Sequence, residues 1–290
     1  MKKLFTIVSV AVAFVVLAAC YGCGGGGFDS SKNISVVVRE DGSGTKTAFM
    51  EIIGLKGKTD PSGVFTQNGV AGVLAEVKSN PSAIAYESLG YITGDVKALK
   101  VDGVAATVAN VKNGTYKIAR PLSVIYQEST LNSDVNRAFL TFLQSSNAQR
   151  IISEGGYVSM IDNAPAYVVN SSLSGNITIS GSTSLQELMG DLADEFMRLQ
   201  SRVGVEVSGG GSGTGYSNAD SGVSDFGMIS EEFASSKAPS CTPYVVCNDG
   251  IAVIVNKANP LDNITMDQLQ KIYDVDAGSS AITKWNTLVS

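Results

Sequence analysis

The sequence contains no histidine. This absence excludes Ser-His-Asp and Cys-His catalysis and removes the commonest zinc ligand, so an enzyme of this sequence would depend on carboxylates or lysine. Charge is also scarce, because 17% of the residues are charged and the formal net charge is −6. Nucleic-acid-binding proteins are expected to be basic, and the acidic balance argues against that class. We therefore predict no metal, no cofactor and no nucleic-acid partner.

Cysteine is sparse, and the first of the four cysteines follows a targeting pattern. Two lysines precede the apolar run Leu4–Ala19, and Leu17-Ala-Ala-Cys20 matches a bacterial lipoprotein cleavage site. We expect residues 1–19 to be a lipoprotein signal peptide, Cys20 to carry lipid, and the Gly-rich residues 20–32 to form a flexible tether. An ordinary signal peptide or an anchor helix is the alternative. The expected location is outside the cytoplasm, anchored to a bacterial membrane.

Disulfides persist in exported proteins. Cys241 and Cys247 are therefore predicted to close a small disulfide loop, and two free buried thiols are the alternative. Two cysteines without histidine make a poor metal site. Cys23 lies in the tether and is assigned no role.

The chain of 290 residues is long enough for two lobes with separate cores. Strand-like and helix-like segments alternate, which predicts an α/β protein with mainly parallel sheets. The predicted strands are Ile34–Arg39, Ala83–Tyr86, Val96–Val101, Pro121–Tyr126 and Gly250–Asn256. The predicted helices are Thr45–Ile53, Gly69–Val77, Val135–Leu143, Ala148–Gly155, a helix after Ser184, and Thr265–Tyr273 capped by Thr265 or Asn263. Asp162–Gly175 is predicted to be a connector.

Three Gly/Ser/Thr segments follow strand-like runs: a turn within Asn33–Leu55, a turn within Asn176–Leu199, and Ser208–Gly215. In the first two, an amphipathic helix pattern comes next. A helix start carries unpaired N–H groups and the positive end of the helix dipole, and hydroxyl side chains add further donors. This pattern predicts a site for a small tetrahedral oxyanion.

These segments belong to a larger set of motifs that resembles a known family, the periplasmic phosphate-binding proteins. The family members are the substrate receptors of ABC phosphate importers. Motifs similar to the first half of the family are Gly181-Ser-Thr-Ser-Leu185, Gly209–Gly215, Asp225-Phe-Gly-Met228, Asp249–Asn256 and Ile282–Trp285. Motifs similar to the second half are Arg39–Thr45, Asn80–Tyr86, Ala119-Arg-Pro121 and Val135–Tyr157.

The two halves stand in exchanged order, and joining Ser290 to about Lys32 restores the order of the family. The resemblance therefore implies a circularly permuted, two-lobed periplasmic-binding-protein fold of type II, with the ligand in the cleft between the lobes. A sequence assembled from gene fragments is the alternative. Lobe A is expected at 33–121 plus 261–290 and lobe B at 122–260, with crossings near Asn256–Leu261 and Arg120–Val124.

The resemblance also implies a set of phosphate contacts. They are Arg39, Asp41, Ser43, Gly44, Thr45, Thr183, Ser184, Leu185, Ser212 and Ser230. The planar guanidinium of Arg39 suits an oxyanion, and Asp41 is predicted to orient it by an ion pair. Either Asp41 or Glu231 is predicted to accept the proton of phosphate, which sulfate lacks at neutral pH.

The function implied is that of a monomeric, lipid-anchored receptor. It would bind inorganic phosphate and deliver it to the permease subunits of an ABC importer, without a catalytic step. The alternatives are a receptor for another oxyanion such as sulfate or molybdate, or a phosphatase or surface adhesin built on the same fold.

Overall fold

The computed structural model describes residues 27–289. The predicted signal peptide, the lipidation site Cys20, Cys23 and the tether up to residue 26 lie outside the described residues. Within residues 27–289, no helix has the length and apolar character needed to cross a bilayer.

The secondary structure alternates as the sequence predicts. The strands are β1 (Ser35–Arg39), β2 (Phe65–Gln67), β3 (Ala83–Ser88), β4 (Lys97–Ala98), β5 (Lys100–Val101), β6 (Ala119–Gln127), β7 (Val158–Ser159), β8 (Gly175–Gly181), β9 (Val203–Ser208), β10 (Phe226–Ile229), β11 (Cys241–Val255) and β12 (Asn263–Ile264). The helices are α1 (Gly44–Ile52), α2 (Gly69–Ser79), α3 (Val108–Lys112), α4 (Asp134–Leu143), α5 (Ser146–Glu154), α6 (Gln186–Leu199), α7 (Ser212–Asp220) and α8 (Met266–Tyr273).

Local signals explain where several helices lie. Thr265 begins α8 with a capping box, in which its hydroxyl accepts from the Gln268 N–H and its own N–H donates to the Gln268 side chain. Of the two predicted caps, Thr265 is therefore confirmed. Helix α6 buries Leu188, Leu192 and Phe196 along one face, which is the spacing of an amphipathic helix.

The segment Val96–Val101 differs from its prediction as one strand. It forms β4, which pairs with β11, and β5, which pairs with β12. The two short strands have different partners, so the sheet does not continue through the segment.

One long strand, β11, joins two sheets. Its second half, Ile251–Val255, runs antiparallel to β3, and β3 continues into the parallel pairs β3–β1 and β1–β2. Its first half, Cys241–Gly250, runs antiparallel to β6, which is followed by β10, β8 and β9. The outer strands of both sheets are parallel, as predicted, whereas the strands that connect the lobes are antiparallel.

Each lobe has its own core on both faces of its sheet. In the first lobe, Phe49 stacks on Tyr86 at 3.9 Å between ring centroids within a cluster that also contains Trp285. In the second lobe, Phe139 and Phe196 meet edge to face at 5.2 Å. Smaller clusters cover the opposite faces of the two sheets. Each sheet is therefore covered on both sides, which confirms the predicted α/β class.

The second predicted lobe boundary, between residues 260 and 261, needs correction. Along β11, Cys247 packs in the core of the second lobe, whereas Ile251, Val253 and Val255 pack in the core of the first. The crossing therefore lies inside β11 rather than after it, because the apolar end of this strand pairs with β3.

The predicted disulfide is wrong. Cys241 and Cys247 are free, and both lie on β11, opposite Gln127 and Leu122 of β6. A strand rises by about 3.3 Å per residue, so this spacing exceeds the Cα separation of about 4.4–6.8 Å that a disulfide requires. The thiol of Cys247 is fully buried, and burial raises its pKa well above the ordinary value.

The two ends of the described chain lie side by side. The N–H of Ile34 donates to the carbonyl of Thr283 at 2.8 Å, and Asn33 forms an antiparallel bridge with Lys284. The predicted connector contains no helix or strand from residue 162 to residue 174, and Val168 within it is 83% exposed. The two described ends are therefore neighbours on the first lobe, and the connector follows the second lobe without regular secondary structure.

Candidate functional site

Three helices begin where the lobes face each other. Helix α1 of the first lobe begins at Gly44, and its cap Ser43 accepts a hydrogen bond from the Lys46 N–H. From the second lobe come α7, which begins at Ser212, and α6, which follows Ser184. The backbone N–H of Gly213 donates to the carbonyl of Gly42 at 3.0 Å across the interface. The positive ends of α1 and α7 thus meet at one place.

Arg39 is a buried cation of this interface and is 1% exposed. Its Nε and Nη2 donate to both oxygens of Glu40, at 2.8 and 2.9 Å. Its Nη1 donates to Glu87 Oε1 at 2.8 Å, and its Nη2 also donates to Thr183 Oγ1 of the second lobe at 2.8 Å. The guanidinium is therefore fixed by two carboxylates of one lobe and a hydroxyl of the other.

A group of hydroxyls surrounds the helix starts. Thr45 Oγ1 of the first lobe lies 2.8 Å from Ser184 Oγ of the second. Ser212 Oγ lies 3.2 Å from Ser230 Oγ and accepts from the Ser230 N–H at 3.0 Å. Each hydroxyl both donates and accepts, so these groups can exchange their present partners for the oxygens of an anion.

Gly44 permits the close approach of the two lobes. A Cβ atom at this position would lie 2.3 Å from Ser212 Oγ and 2.6 Å from Ser230 Oγ. Both distances are too short for atoms that are not bonded to each other. The predicted contacts Gly44, Ser212 and Ser230 are thus brought together, and so are Arg39, Thr45, Thr183 and Ser184.

Asp41 does not orient Arg39, contrary to prediction. Its side chain is fully exposed and forms an ion pair with Lys46 at 2.9 Å. The hydrogen bond and the charge of Lys46 lower the pKa of Asp41. Glu40 and Glu87 hold the guanidinium instead, because Asp41 lies in the turn beyond β1 and faces solvent.

Two other predicted residues are engaged in building helix starts. The hydroxyl of Ser43 caps α1, and its N–H donates to the Glu40 carbonyl. The N–H of Leu185 donates to the Ser182 carbonyl at 3.3 Å. Glu231 is buried and forms an ion pair with Lys237, and its Oε2 has no hydrogen-bond partner among residues 27–289.

Sequence reasoning missed four charged residues of the site. They are Glu40, Glu87, Arg120 and Asp249. Arg120 Nη1 donates to the carbonyl of Ser230 at 2.9 Å, and its Nη2 contacts Asp249 Oδ2 at 3.1 Å. All four residues lie within or beside an apolar strand, and this position could have revealed them. A charged side chain buried with its strand is rarely left without a partner, so such a residue indicates a buried ion pair.

The electrostatics of the site are set by burial and by these ion pairs. Burial lowers the pKa of Arg39, but its hydrogen bond to Glu40 and the charge of Glu87 outweigh this effect and raise it. Burial raises the pKa of Glu87 above its usual range, although the charge of Arg39 opposes the shift. Burial also raises the pKa of Glu40, but the hydrogen bond and charge of Arg39 prevail and lower it. Arg39 and Glu40 are therefore ionised at neutral pH.

Tyr91 adds a second contact between the lobes. Its hydroxyl donates to the Thr183 carbonyl and accepts from the Glu187 N–H, both at 3.2 Å. Burial raises the pKa of Tyr91 to about 12, so the hydroxyl keeps its proton. Tyr91 and Thr183 also line a cavity of about 640 Å³ between α2 and α6.

Comparison with known proteins bears on what this site binds. A family model described as a PBP superfamily domain matches residues 27–147 and 169–289. The chain is 35% identical over 280 residues to phosphate-binding protein PstS 2 of Streptococcus agalactiae, with 92% of each chain covered.

A solved structure and a more distant relative extend the comparison. The crystal structure of a phosphate-binding protein of a phosphate ABC transporter from Streptococcus pneumoniae matches with a TM-score of 0.70 at 31% identity, covering 88% of this chain and 99% of the other. Phosphate-binding protein PstS of Pseudomonas aeruginosa is 29% identical over 147 residues, which are 47% of this chain and 43% of the relative. The chain therefore belongs to the PBP superfamily and, within it, to the family of phosphate-binding proteins named PstS.

Proposed function

We propose that the protein is an extracytoplasmic receptor that binds inorganic phosphate and delivers it to an ABC importer. The observation that carries this proposal is the buried guanidinium of Arg39, set among hydroxyls that both lobes contribute at three helix starts. A tetrahedral anion can accept several hydrogen bonds from such a set at once. The names of the relatives support phosphate as that anion.

Capture requires exchange of hydrogen-bond partners and no covalent step. In this structure, Thr45 pairs with Ser184, and Thr183 pairs with Arg39. An entering anion would separate these pairs and accept from the same donors, so that both lobes hold it. Binding energy then favours closure, and the closed form is the state that a permease can recognise.

We further propose export and attachment to the membrane through lipid on Cys20, as the sequence pattern around this residue indicates. The binding site is contained within one chain, which supports a monomer that acts with the permease subunits. A receptor rather than a phosphatase is supported by the naming of the relatives as binding proteins and by the absence of histidine from the sequence. We expect no release of phosphate from a chromogenic ester.

Titration of the purified full-length chain, freed of phosphate by dialysis, tests the proposal. Phosphate should bind with 1:1 stoichiometry and raise the melting temperature, because a ligand that binds only the native state stabilises it by mass action. Sulfate and molybdate at equal concentration should have much smaller effects. Equal shifts with all three anions would reject phosphate as the specific ligand.

A further inference from the structure

Arg39 is held by more negative charge than it can neutralise. Glu40 occupies its Nε–Nη2 edge, and Glu87 occupies Nη1 at 2.8 Å. The side chain of Glu87 is completely buried, whereas that of Glu40 is 23% exposed. The cation that should attract an anion is therefore already paired with two carboxylates.

The charged groups around Glu87 do not correct this imbalance. From β1 comes Arg39 and from β6 comes Arg120, while Asp249 lies on the neighbouring strand β11. Arg120 is already engaged by Asp249 and by the Ser230 carbonyl. Tyr86 beside Glu87 and Tyr91 in the following turn have raised pKa values because of burial, so both stay neutral. Two cations thus face three carboxylates, counting Glu40, before any ligand binds.

An anion that enters this site adds further negative charge to a buried region. Uncompensated charge in such a region is costly, and a buried carboxylate relieves the cost by taking up a proton. The site therefore requires either a new cation or a proton when an anion binds.

We propose that anion capture by this protein is coupled to uptake of a proton at Glu87, which acts as a positioning residue that controls how much of the charge of Arg39 reaches the ligand. This inference rests on the proposed function, because phosphate is the anion that it assigns to the site.

Glu87 is better placed for this role than the other two carboxylates. Glu40 is partly solvated, also accepts from the Gly69 N–H, and has a lowered pKa, so it keeps its charge. Asp249 is as deeply buried as Glu87, but its cationic partner is Arg120 and not Arg39. Only Glu87 combines full burial with direct contact to the cation of the anion site.

The direction of the pH dependence follows from linkage. Below the pKa that Glu87 has in the free protein, the carboxyl is protonated in both states and binding takes up no proton. Between that value and the higher pKa that Glu87 has in the complex, each bound anion draws up to one proton onto Glu87, and above both values binding again takes up none. Affinity therefore falls as pH rises through this window, by up to about tenfold per pH unit.

The test is isothermal titration of the full-length protein with inorganic phosphate in buffers of different ionisation enthalpy, which counts the protons taken up per bound anion. The series covers about pH 5 to pH 8 and compares wild type with Glu87→Gln, so that the ionisation of phosphate itself cancels. Glu87→Met provides a second variant in case the Gln variant does not fold. Glu154→Gln is the matched control, because it makes the same chemical change at a carboxylate that is 63% exposed and pairs with Arg150 on the same helix, outside the site.

We expect wild type and Glu154→Gln to take up more protons than either Glu87 variant, by up to one proton per phosphate. The Glu87 variants should bind more tightly than wild type at the alkaline end of the series and about equally at the acidic end. Equal proton uptake in wild type and the Glu87 variants would overturn the inference. The inference would also be overturned if Asp249→Asn lost the extra proton uptake while Glu87→Gln retained it. Failure of the wild type to bind phosphate would reject the proposed function and the inference with it.

Discussion

At the residue scale, the site depends on the shape of one side chain. The fork of Arg39 presents its Nε–Nη2 edge to Glu40 while its remaining N–H groups contact Glu87 and Thr183. A lysine carries the same charge on a single nitrogen and cannot make this set of contacts at once. Arg39 therefore joins the lobes by geometry as well as by charge.

Replacement of Arg39 should affect both binding and stability. We expect Arg39→Ala to weaken phosphate binding by about 2–4 kcal/mol, because a charge-assisted contact to the anion is lost. The same change leaves Glu87 buried without its cation, so the folded state should lose about 3–5 kcal/mol. Arg39→Lys should recover part of both losses. Calorimetric titration with phosphate and urea denaturation measure the two effects.

Arg198→Ala is the control for this prediction. Arg198 is 66% exposed and pairs with Glu195 on the same helix, so its loss should change neither quantity by more than about 0.5 kcal/mol. Wild-type affinity in Arg39→Ala would place Arg39 outside the phosphate site.

The residues around Arg39 also show what sequence can and cannot reveal. Arg39 and the hydroxyls belong to short motifs whose chemistry is local, and these residues do meet in the structure. Asp41 belongs to the same motif, yet its orientation depends on the turn that it occupies and on Lys46. Glu87 lies far from Arg39 in sequence and meets it only because β1 and β3 are paired. A contact of this kind is set by strand pairing and is not visible in a local pattern.

At the element scale, the correct predictions depend on signals within a segment, whereas the first half of β11 depends on strand pairing and was missed. Six helices were predicted correctly because apolar spacing and caps such as Thr265 lie within the segments themselves. Helices α3 and α7 were missed, and α7 contains few apolar residues that could have indicated a helix. Strand β11 was predicted only at its apolar end, Gly250–Asn256. Its first half contains Pro243 and several polar residues, and it is a strand because β6 pairs with it. The mistaken disulfide follows from that error, because an extended strand keeps Cys241 and Cys247 apart.

The start of α1 provides a test of how closely the lobes must approach. The backbone of Gly44 is in the helical region, so alanine is acceptable there except for the contact with Ser212 and Ser230. We expect Gly44→Ala to reduce phosphate affinity by about 1–3 kcal/mol, which is the cost of forcing an additional methyl group into a packed contact. Calorimetry measures the affinity, and small-angle scattering at saturating phosphate should show a less compact protein.

Gly190→Ala is the matched control, since Gly190 lies inside α6 and a Cβ atom there meets no atom within 4 Å. This variant should keep its affinity and gain up to about 1 kcal/mol of stability, because alanine favours the helix. If Gly44→Ala binds phosphate as tightly as wild type, closure does not bring α1 against α7 in solution.

At the scale of the whole molecule, the comparisons bear on the predicted exchange of the two halves. Chain order is shared with the Streptococcus agalactiae relative, because the alignment covers 92% of both chains. The Pseudomonas aeruginosa relative aligns over 47% of this chain and 43% of its own. An alignment that follows chain order can match only one half at a time when the halves are exchanged. This contrast is what a circularly permuted order would produce, and the permutation remains a prediction.

The structure supplies a physical reason why either order would fold. Asn33 and Lys284 form a bridge, so a short linker can join the present ends of the first lobe without moving it. Residues 162–174 contain no helix or strand, and Val168 and Val169 are 83% and 50% exposed, so a break between these two residues removes few contacts. Permutation is tolerated at such places, because the ends are close and the opened segment is exposed.

We therefore expect a reordered chain to retain the site. It would keep residues 1–31 in front, continue with 169–290, and return through a short Gly/Ser linker to 32–168. Both versions contain the same lobe contacts, so their phosphate affinities should agree within a few-fold. Their free energies of unfolding should differ mainly through the entropy of loop closure, which changes by about 0.6 kcal/mol per doubling of loop length. Calorimetry and urea denaturation compare the two chains. Tight binding by the reordered chain, with an unfolded or inactive native order, would show that the exchanged order is a defect and not a permutation.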